Sequence, residues 1–309
     1  MKVVYKKLPS NRKKCVATIG VFDGIHLGHQ FILRKLKQEA KKHKVNSLLI
    51  TFDIPPKMIL NKNFTGCIMS LPEKKEHIKA LKIDYLWLLR THSSFLKLSG
   101  EEFIAYLIKY FKIKKFIVGE DFRFGYRGET DIRHLKKFGQ KYDFKVTVLK
   151  KKCKDNKIVS SSLIRKFIKI GDFNEANRLL GYNYFLKGRV YRGLGYGRRL
   201  GFPTANIDRD GYIIPRLGVY AGLVKVDKKS YLAAVNVGTR PTVTRSSRCV
   251  LEVYIIGFNA NILGKTITVS FLEKIRNEKK FASLQELKEA ISNDVRYIRK
   301  NSSLFRQNS

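Results

Sequence analysis

Gly20-Val-Phe-Asp-Gly-Ile-His-Leu-Gly-His29 sets the architecture of the first half of the chain. It follows a short apolar run, Cys15–Ile19, and runs into His29–His43, where Ile32, Leu33, Leu36 and Ala40 fall on one helical face. A strand that enters a glycine-rich turn and leaves as a helix is the opening unit of an open α/β sheet. In such sheets ligands sit outside the carboxyl ends of the strands, and the free N–H groups of a helix start face phosphate. Gly20, Gly24 and Gly28 allow close backbone approach, and His26 and His29 stand three residues apart. Both imidazoles can then aim at one phosphoryl group as it develops charge. The alternative for either histidine is a simple helix cap.

Moving outward, Asn46–Phe52, Tyr85–Leu89, Lys115–Val118 and Lys145–Leu149 read as strands separated by helix-sized segments. Ser70-Leu-Pro-Glu73 and Ser99-Gly-Glu-Glu102 fit the capping box that opens a helix, the second leading into Phe103, Ile104, Leu107, Ile108 and Phe111. Alternating strands and helices predict a doubly wound parallel sheet, ending after a helical stretch Ser162–Leu180. From Gly181 the texture changes. Short β-branched and aromatic runs, Phe185–Tyr191, Val219–Val226, Tyr231–Val237, Val250–Ile256 and Thr266–Phe271, are separated by turn signals such as Asp210-Gly211 and Arg240-Pro241. These predict a small antiparallel β-barrel. A last helix opens at Ser283-x-x-Glu286, with Leu284, Leu287, Ile291 and Val295 on one stripe. The fold class is therefore α/β followed by β, with domains 1–182 and 183–309.

The chain has 309 residues, 44% hydrophobic and 28% charged, which is the profile of a folded domain pair. No apolar run approaches the roughly 18 residues of a membrane span, and Met1–Leu8 has no apolar signal core. Cys15, Cys67, Cys153 and Cys249 are scattered singly, without a metal-binding or disulfide pattern, which fits a reducing cytoplasm. Lys+Arg 63 against Asp+Glu 25 gives a net charge of +38. The lysines are spread through both halves rather than gathered on one element, so general attraction for phosphate-bearing substrates is expected, with no specific nucleic acid and no membrane as partner. Nothing in the pattern fixes an oligomeric state.

Three further stretches carry chemistry. Ile158-Val-Ser-Ser-Ser-Leu-Ile-Arg165 brings hydroxyls into a helix start with an arginine one turn in, either an ordinary N-cap or a grip on a phosphate tail. Val118-Gly-Glu-Asp-Phe-Arg-Phe-Gly125 runs from a strand end into an aromatic turn; Phe122 and Phe124 are core residues or a platform for a flat ring. Gly188-Arg-Val-Tyr-Arg-Gly-Leu-Gly-Tyr-Gly-Arg-Arg-Leu-Gly-Phe-Pro-Thr-Ala-Asn206 joins a glycine-rich loop to the hard oxygen donors Thr204 and Asn206.

In this order the first-half motifs resemble the adenylyltransferase half of the bacterial bifunctional riboflavin kinase/FMN adenylyltransferases, also called FAD synthetases. The Gly188–Asn206 stretch, with its Pro-Thr-Ala-Asn, resembles their riboflavin kinase half. Asn236-Val-Gly-Thr-Arg-Pro-Thr242, Leu251-Glu-Val-Tyr254 and Leu272–Phe281 follow in the family's order. The resemblance implies a nucleotidyltransferase-like domain and a riboflavin kinase barrel. It implies phosphorylation of riboflavin to FMN, then adenylylation of FMN to FAD, with ATP as co-substrate and Mg²⁺ as cofactor. His26, His29 and Glu252 would be catalytic, and Thr204 and Asn206 would hold the metal. Gly20, Phe22, Asp23, Gly28, Ser161, Ser162 and Arg165 would bind ATP in one half, Gly193, Gly195, Gly197 and Gly201 in the other. Asp121, Phe124 and Arg276 would lie near flavin. Two stretches depart from the family pattern. Thr51-Phe-Asp-Ile-Pro-Pro56 lacks the histidine of T-F-x-P-H-P, and Gly257–Gly264 replaces an acidic turn.

Overall fold

The computed structural model describes residues 1–4, 14–61, 64–92, 94–193, 195–208, 211–240 and 248–307. Asp210 and Pro241 of the two turn signals, Leu194 of the glycine-rich loop and Thr242 lie outside them. The chain forms two compact units, Met1–Phe64 with Met69–Ser160, and Thr65–Ile68 with Ser161–Ser309.

The first unit contains β1 (Lys2–Val4), β2 (Lys14–Ile19), α1 (Leu27–Lys42), β3 (Asn46–Phe52), α2 (Pro56–Leu60), α3 (Leu71–Ala80) and β4 (Tyr85–Leu89). It continues with α4 (Gly100–Tyr110), β5 (Lys112–Gly119), α5 (Ile132–Lys141), β6 (Lys145–Leu149) and the hairpin β7 (Cys153–Lys154) and β8 (Lys157–Ile158). The six-stranded sheet runs β1-β4-β3-β2-β5-β6, with every pairing parallel. The chain proceeds from β2 through β3 to β4 on one side and returns to β5 on the other. The crevice beyond the carboxyl ends of β2 and β5 is thus the switch point where ligands bind in such sheets. The core explains the strand runs: Leu48, Leu49, Ile50, Leu86 and Leu88 are fully buried, as strands covered on both faces require. Trp87 packs against Tyr106, Tyr110 and Phe111. The capping box at α4 is complete, with Glu102 N–H donating to Ser99 Oγ at 3.3 Å and Ser99 N–H to Glu102 Oε2 at 2.8 Å. The one expected at α3 does not form: Ser70 is the N-cap residue, but its side chain makes no capping bond.

The second unit begins with α6 (Ser161–Ile170) and α7 (Phe173–Leu180). The expected single helix is broken at Gly171, whose φ of +81° ends α6, while Asp172 Oδ1 accepts the Glu175 N–H to start α7. Next come β9 (Phe185–Tyr191), α8 (Tyr196–Arg199), β10 (Thr204–Ile207), β11 (Gly218–Val226), β12 (Lys229–Arg240), β13 (Arg248–Ile255), β14 (Thr266–Asn277), α9 (Leu284–Lys300) and α10 (Ser302–Gln307). The strands close an antiparallel barrel in the order β10-β13-β12-β11-β14-β9. Phe173 stacks on Phe271 at 4.8 Å and meets Tyr184 and Tyr220. That contact places α7 with the barrel, so the division by packing at 160/161 and the expected boundary at 182/183 cut the chain differently. In α9 the stripe is shifted toward the C-terminus: Asp294, Val295 and Ile298 are buried, whereas Leu284 is exposed. Among the described residues no helix is long and apolar enough to cross a membrane.

Candidate active sites

In the α/β unit the Gly20–His29 loop leaves β2 at the switch point. Its backbone is pinned along its length. Gly20 N–H donates to Ile50 O at 3.1 Å, Thr51 Oγ1 and Lys74 Nζ both donate to Val21 O, and Gln30 Nε2 donates to Ile25 O at 3.0 Å. His26 is the N-cap of α1, its Nδ1 accepting the His29 N–H at 3.3 Å, so the ring proton sits on Nε2. The two imidazoles stack with centroids 3.6 Å apart, and Phe22 closes on His29 at 4.8 Å. His26 therefore caps α1 and stacks on His29 at once. Gly28 suits this packing, because a Cβ there would come within 3.2 Å of the His26 ring, a tight contact. His29 Nδ1 is buried and has no hydrogen-bond partner among the described residues. Burial, then the neighbouring His26 and Lys74, hold the His29 pKa well below its ordinary value, so the ring is neutral at pH 7. Asp23 is buried and accepts the Met69 N–H at 3.3 Å.

The other expected residues are distributed unevenly. Asp121, beyond β5 at the same sheet edge, is exposed and pairs with Lys151 at 3.3 Å. Phe124 is buried, stacks on Phe122 and meets Phe103 and Phe138, so it packs with the core. Ser161, Ser162 and Arg165 open α6 in the barrel unit. The Thr51–Pro56 stretch is tied to the end of β4, Asp53 Oδ1 accepting from Thr91 N–H as well as from Ile54 N–H.

In the barrel, register assembles the second site. Asn206 on β10 lies opposite Glu252 on β13, which lies opposite Asn236 on β12; on its other side Asn206 lies opposite Tyr191 on β9. The flanking Val235, Val237, Leu251 and Val253 are fully buried, and strand alternation puts the Asn206–Glu252–Asn236 row on the opposite face, where Asn206 is buried and Glu252 and Asn236 are half-buried. Thr204, two residues before Asn206, shares that face. Asn236 and Tyr191 are members of the row that the sequence alone did not single out; a two-residue alternation through Val235 and Val237 was the available signal. The glycine-rich loop contains the short helix α8, packed so closely that a Cβ on Gly197 would lie 2.4 Å from Phe202 O. The Gly201 N–H donates to Arg198 O at 3.2 Å, closing a turn. Gly193 and Gly195 belong to the same loop. Arg276 is clamped by Asp294 of α9 through Nε and Nη2 at 2.9–3.1 Å. The departing Gly257–Gly264 turn is tied to β9, with Gly264 N–H donating to Val190 O and Arg189 Nε to Gly264 O.

The barrel holds two oxygen donors of the kind a divalent cation takes. Thr204 and Asn206 offer neutral hard oxygens, which suit Mg²⁺ when substrate phosphates and water complete its shell. Among the described residues no group of three or more His, Cys, Asp or Glu could hold a metal by itself.

The model of the FAD synthetase family matches residues 8–163, and that of the riboflavin kinase family matches residues 180–302. A bifunctional riboflavin kinase/FMN adenylyltransferase of Buchnera aphidicola subsp. Schizaphis graminum is 38% identical over 307 residues, 97% of each chain. One from Escherichia coli (strain K12) is 35% identical over 283 residues, 91% of this chain and 90% of its own. The crystal structure of a macrolide-efflux protein from Streptococcus pneumoniae has a TM-score of 0.85 at 30% identity, covering 96% of this chain and 98% of that one.

Proposed function

The chain belongs to the family of bifunctional riboflavin kinase/FMN adenylyltransferases, and on that footing we propose how its residues divide the two reactions. Riboflavin is phosphorylated by ATP to FMN, and FMN is adenylylated by a second ATP to FAD and pyrophosphate. We assign the first reaction to the barrel and the second to the α/β unit.

The strand register that sets Asn206, Glu252 and Asn236 side by side carries the barrel assignment. Glu252 accepts the proton of the riboflavin 5′-hydroxyl as its oxygen attacks the γ-phosphorus and ADP leaves. Thr204 and Asn206 would hold Mg²⁺, which when bound neutralises phosphate charge. Asn236 orients groups in the same row. Gly193, Gly195 and Gly197 let the loop approach the nucleotide, while Arg276, fixed by Asp294, stands at the edge assigned to flavin.

In the α/β unit an FMN phosphate oxygen attacks the α-phosphorus of ATP and pyrophosphate leaves. No proton has to be removed from the nucleophile, so the protein's work is positioning and charge stabilisation. His26 donates from Nε2, and neutral His29 adds a donor without a permanent charge. Gly20, Phe22, Asp23 and Gly28 shape the loop that receives ATP. Ser161, Ser162 and Arg165 are assigned to ATP, and Asp121 and Phe124 to flavin, on the family resemblance. The net charge of +38 attracts phosphate-bearing substrates in general. Four free cysteines, Cys153 exposed among them, suit a reducing cytoplasm.

A time course with riboflavin and ATP tests the division. FMN should appear first and FAD afterwards. FMN that never becomes FAD would remove the assignment of the α/β unit, and absence of FMN would remove that of the barrel.

A further inference from the structure

Lys74 lies in the first turn of α3 and is only 3% exposed. Lysine is almost never buried so completely unless its ammonium is held. Here Nζ donates to Val21 O at 2.8 Å, the same oxygen that receives Thr51 Oγ1 at 3.0 Å. Nearby, the Met69 N–H just before α3 donates to Asp23 Oδ1. The Gly20–His29 loop is therefore tied to the start of α3 at two points.

The position is a poor one for the helix itself. A cation in the first turn opposes the macrodipole, and Ser70 leaves the helix start without a side-chain cap. The loop, in contrast, needs support. Phe22 and Ile25 have φ of +50° and +35°, a conformation that non-glycine side chains, β-branched ones above all, keep only when their surroundings enforce it. Both are buried. The charge of Lys74 also reaches His29. The titratable groups acting on that ring are His26, from the cap of its own helix, and Lys74, from α3, while Asp23 on the loop is engaged by Met69.

We propose that Lys74 is a positioning residue for adenylyl transfer: its ammonium holds the Val21 carbonyl, fixes the Gly20–His29 loop in its receiving shape, and sets a buried positive charge behind the histidine pair. The proposal rests on the assignment of that loop to ATP. Carbonyl and charge act together, since the bond that orients the loop is also what keeps the ammonium in place.

The test uses the full chain with Lys74→Met and Lys74→Arg. FMN adenylylation is followed as kcat and as KM for ATP across pH, and riboflavin phosphorylation in the same preparations reports a folded protein. Lys74→Met should reduce kcat/KM for ATP by about 10²-fold, the cost of a small misplacement of reacting groups. It should also move the acid limb of the profile to higher pH, because His29 loses a repelling neighbour. Lys74→Arg keeps the charge and should recover part of the rate with the acid limb unmoved. An unchanged KM, kcat and acid limb in Lys74→Met overturns the proposal, as does a lower rate with an unmoved limb and no recovery in Lys74→Arg. If Lys74→Met loses phosphorylation as well, Lys74→Arg decides: a raised KM for ATP with an unmoved limb supports the proposal, and an unchanged KM overturns it. His29→Ala in the same assay separates the two levels, because full adenylylation in that variant would sink the assignment of the loop itself.

Discussion

The Gly20–His29 loop and the Asn206–Glu252–Asn236 row, both assigned above to phosphate chemistry, are built in opposite ways. The loop is irregular backbone with two residues at positive φ, and hydrogen bonds from β3, α1 and α3 keep its shape. The row is regular backbone, and ladder pairing between adjacent strands sets its geometry. A loop site depends on many individually replaceable bonds, whereas a register site moves only if a whole strand slips. Each construction suits the chemistry assigned to it. Adenylyl transfer needs several donors gathered around a phosphate, which a helix start and its preceding loop supply. Phosphorylation of a hydroxyl needs a base and a metal at fixed separation, which neighbouring strands supply.

The largest expected effect separates the two. His29→Ala removes a donor from the α/β unit alone and should slow FAD formation by about 10²–10³-fold, with FMN accumulating from riboflavin. Glu252→Gln keeps the side-chain size but removes the base, and should slow FMN formation by about 10²–10⁴-fold while FAD is still made from supplied FMN. Mixing the two proteins should restore the sequence from riboflavin to FAD. A folded variant of either kind that lost both reactions would show that the sites are not independent.

Next in size is the dependence of the barrel on α7. Phe173 is 1% exposed and sits among Tyr184, Tyr220 and Phe271, so Phe173→Ala should cost about 3–5 kcal/mol. By the same contacts a chain begun at Ser161 should fold and phosphorylate riboflavin, and one begun at Gly181 should not. A cooperative thermal transition in the shorter chain would return the boundary to 182/183.

What the sequence disclosed follows the same divide. Asn46–Phe52, Tyr85–Leu89, Lys145–Leu149 and Phe185–Tyr191 are strands with the predicted limits, because apolar, aromatic and β-branched residues in short runs leave few alternatives. β10 escaped notice: Thr204–Ile207 is short and half polar, and only its pairing with β9 and β13 makes it a strand. The break between α6 and α7 was written in Gly171-Asp172, a helix stop followed by an N-cap, yet the apolar period on either side hides it. The histidine pair was legible because H-x-G-H at a strand-to-helix turn is a local pattern. Lys74 was not, since a lysine in a lysine-rich helix reads as solvated until tertiary packing buries it. Phe124 reads from sequence as core or platform alike, and packing shows it buried among Phe122, Phe103 and Phe138.

A smaller effect probes how the barrel site is bounded. Asp294 is 5% exposed and grips Arg276, and burial pushes its carboxyl pKa up despite the arginine beside it. Asp294→Ala should remove about 1.5–3 kcal/mol from the barrel unit, read as a lower midpoint in urea. It should also raise KM for riboflavin while leaving FMN adenylylation unchanged. An unaltered midpoint would mean that the pair merely decorates the surface.

The smallest expected effect is a difference in how the two units respond to acid. His29 in the folded chain has a pKa well below the ordinary 6.5. Above pH 6.5 the ring is neutral in both folded and unfolded chains and contributes nothing. Below it the unfolded chain binds a proton that the folded chain refuses, so the α/β unit loses stability as pH falls, by at most about 1.4 kcal/mol per pH unit. The raised carboxyl of Asp294 has the opposite sign: its contribution to the barrel is present at low pH and is lost as pH rises through the raised value. Opening free energies from amide exchange in β2 and α1, set against those in β11 and β14, should therefore diverge on acidification, with the first pair falling further. His29→Gln should flatten the response of the α/β unit and leave the barrel as it was. Parallel loss in both units, or an unchanged slope in His29→Gln, would mean that the strained loop and its buried imidazole do not govern the acid sensitivity of the half that holds them.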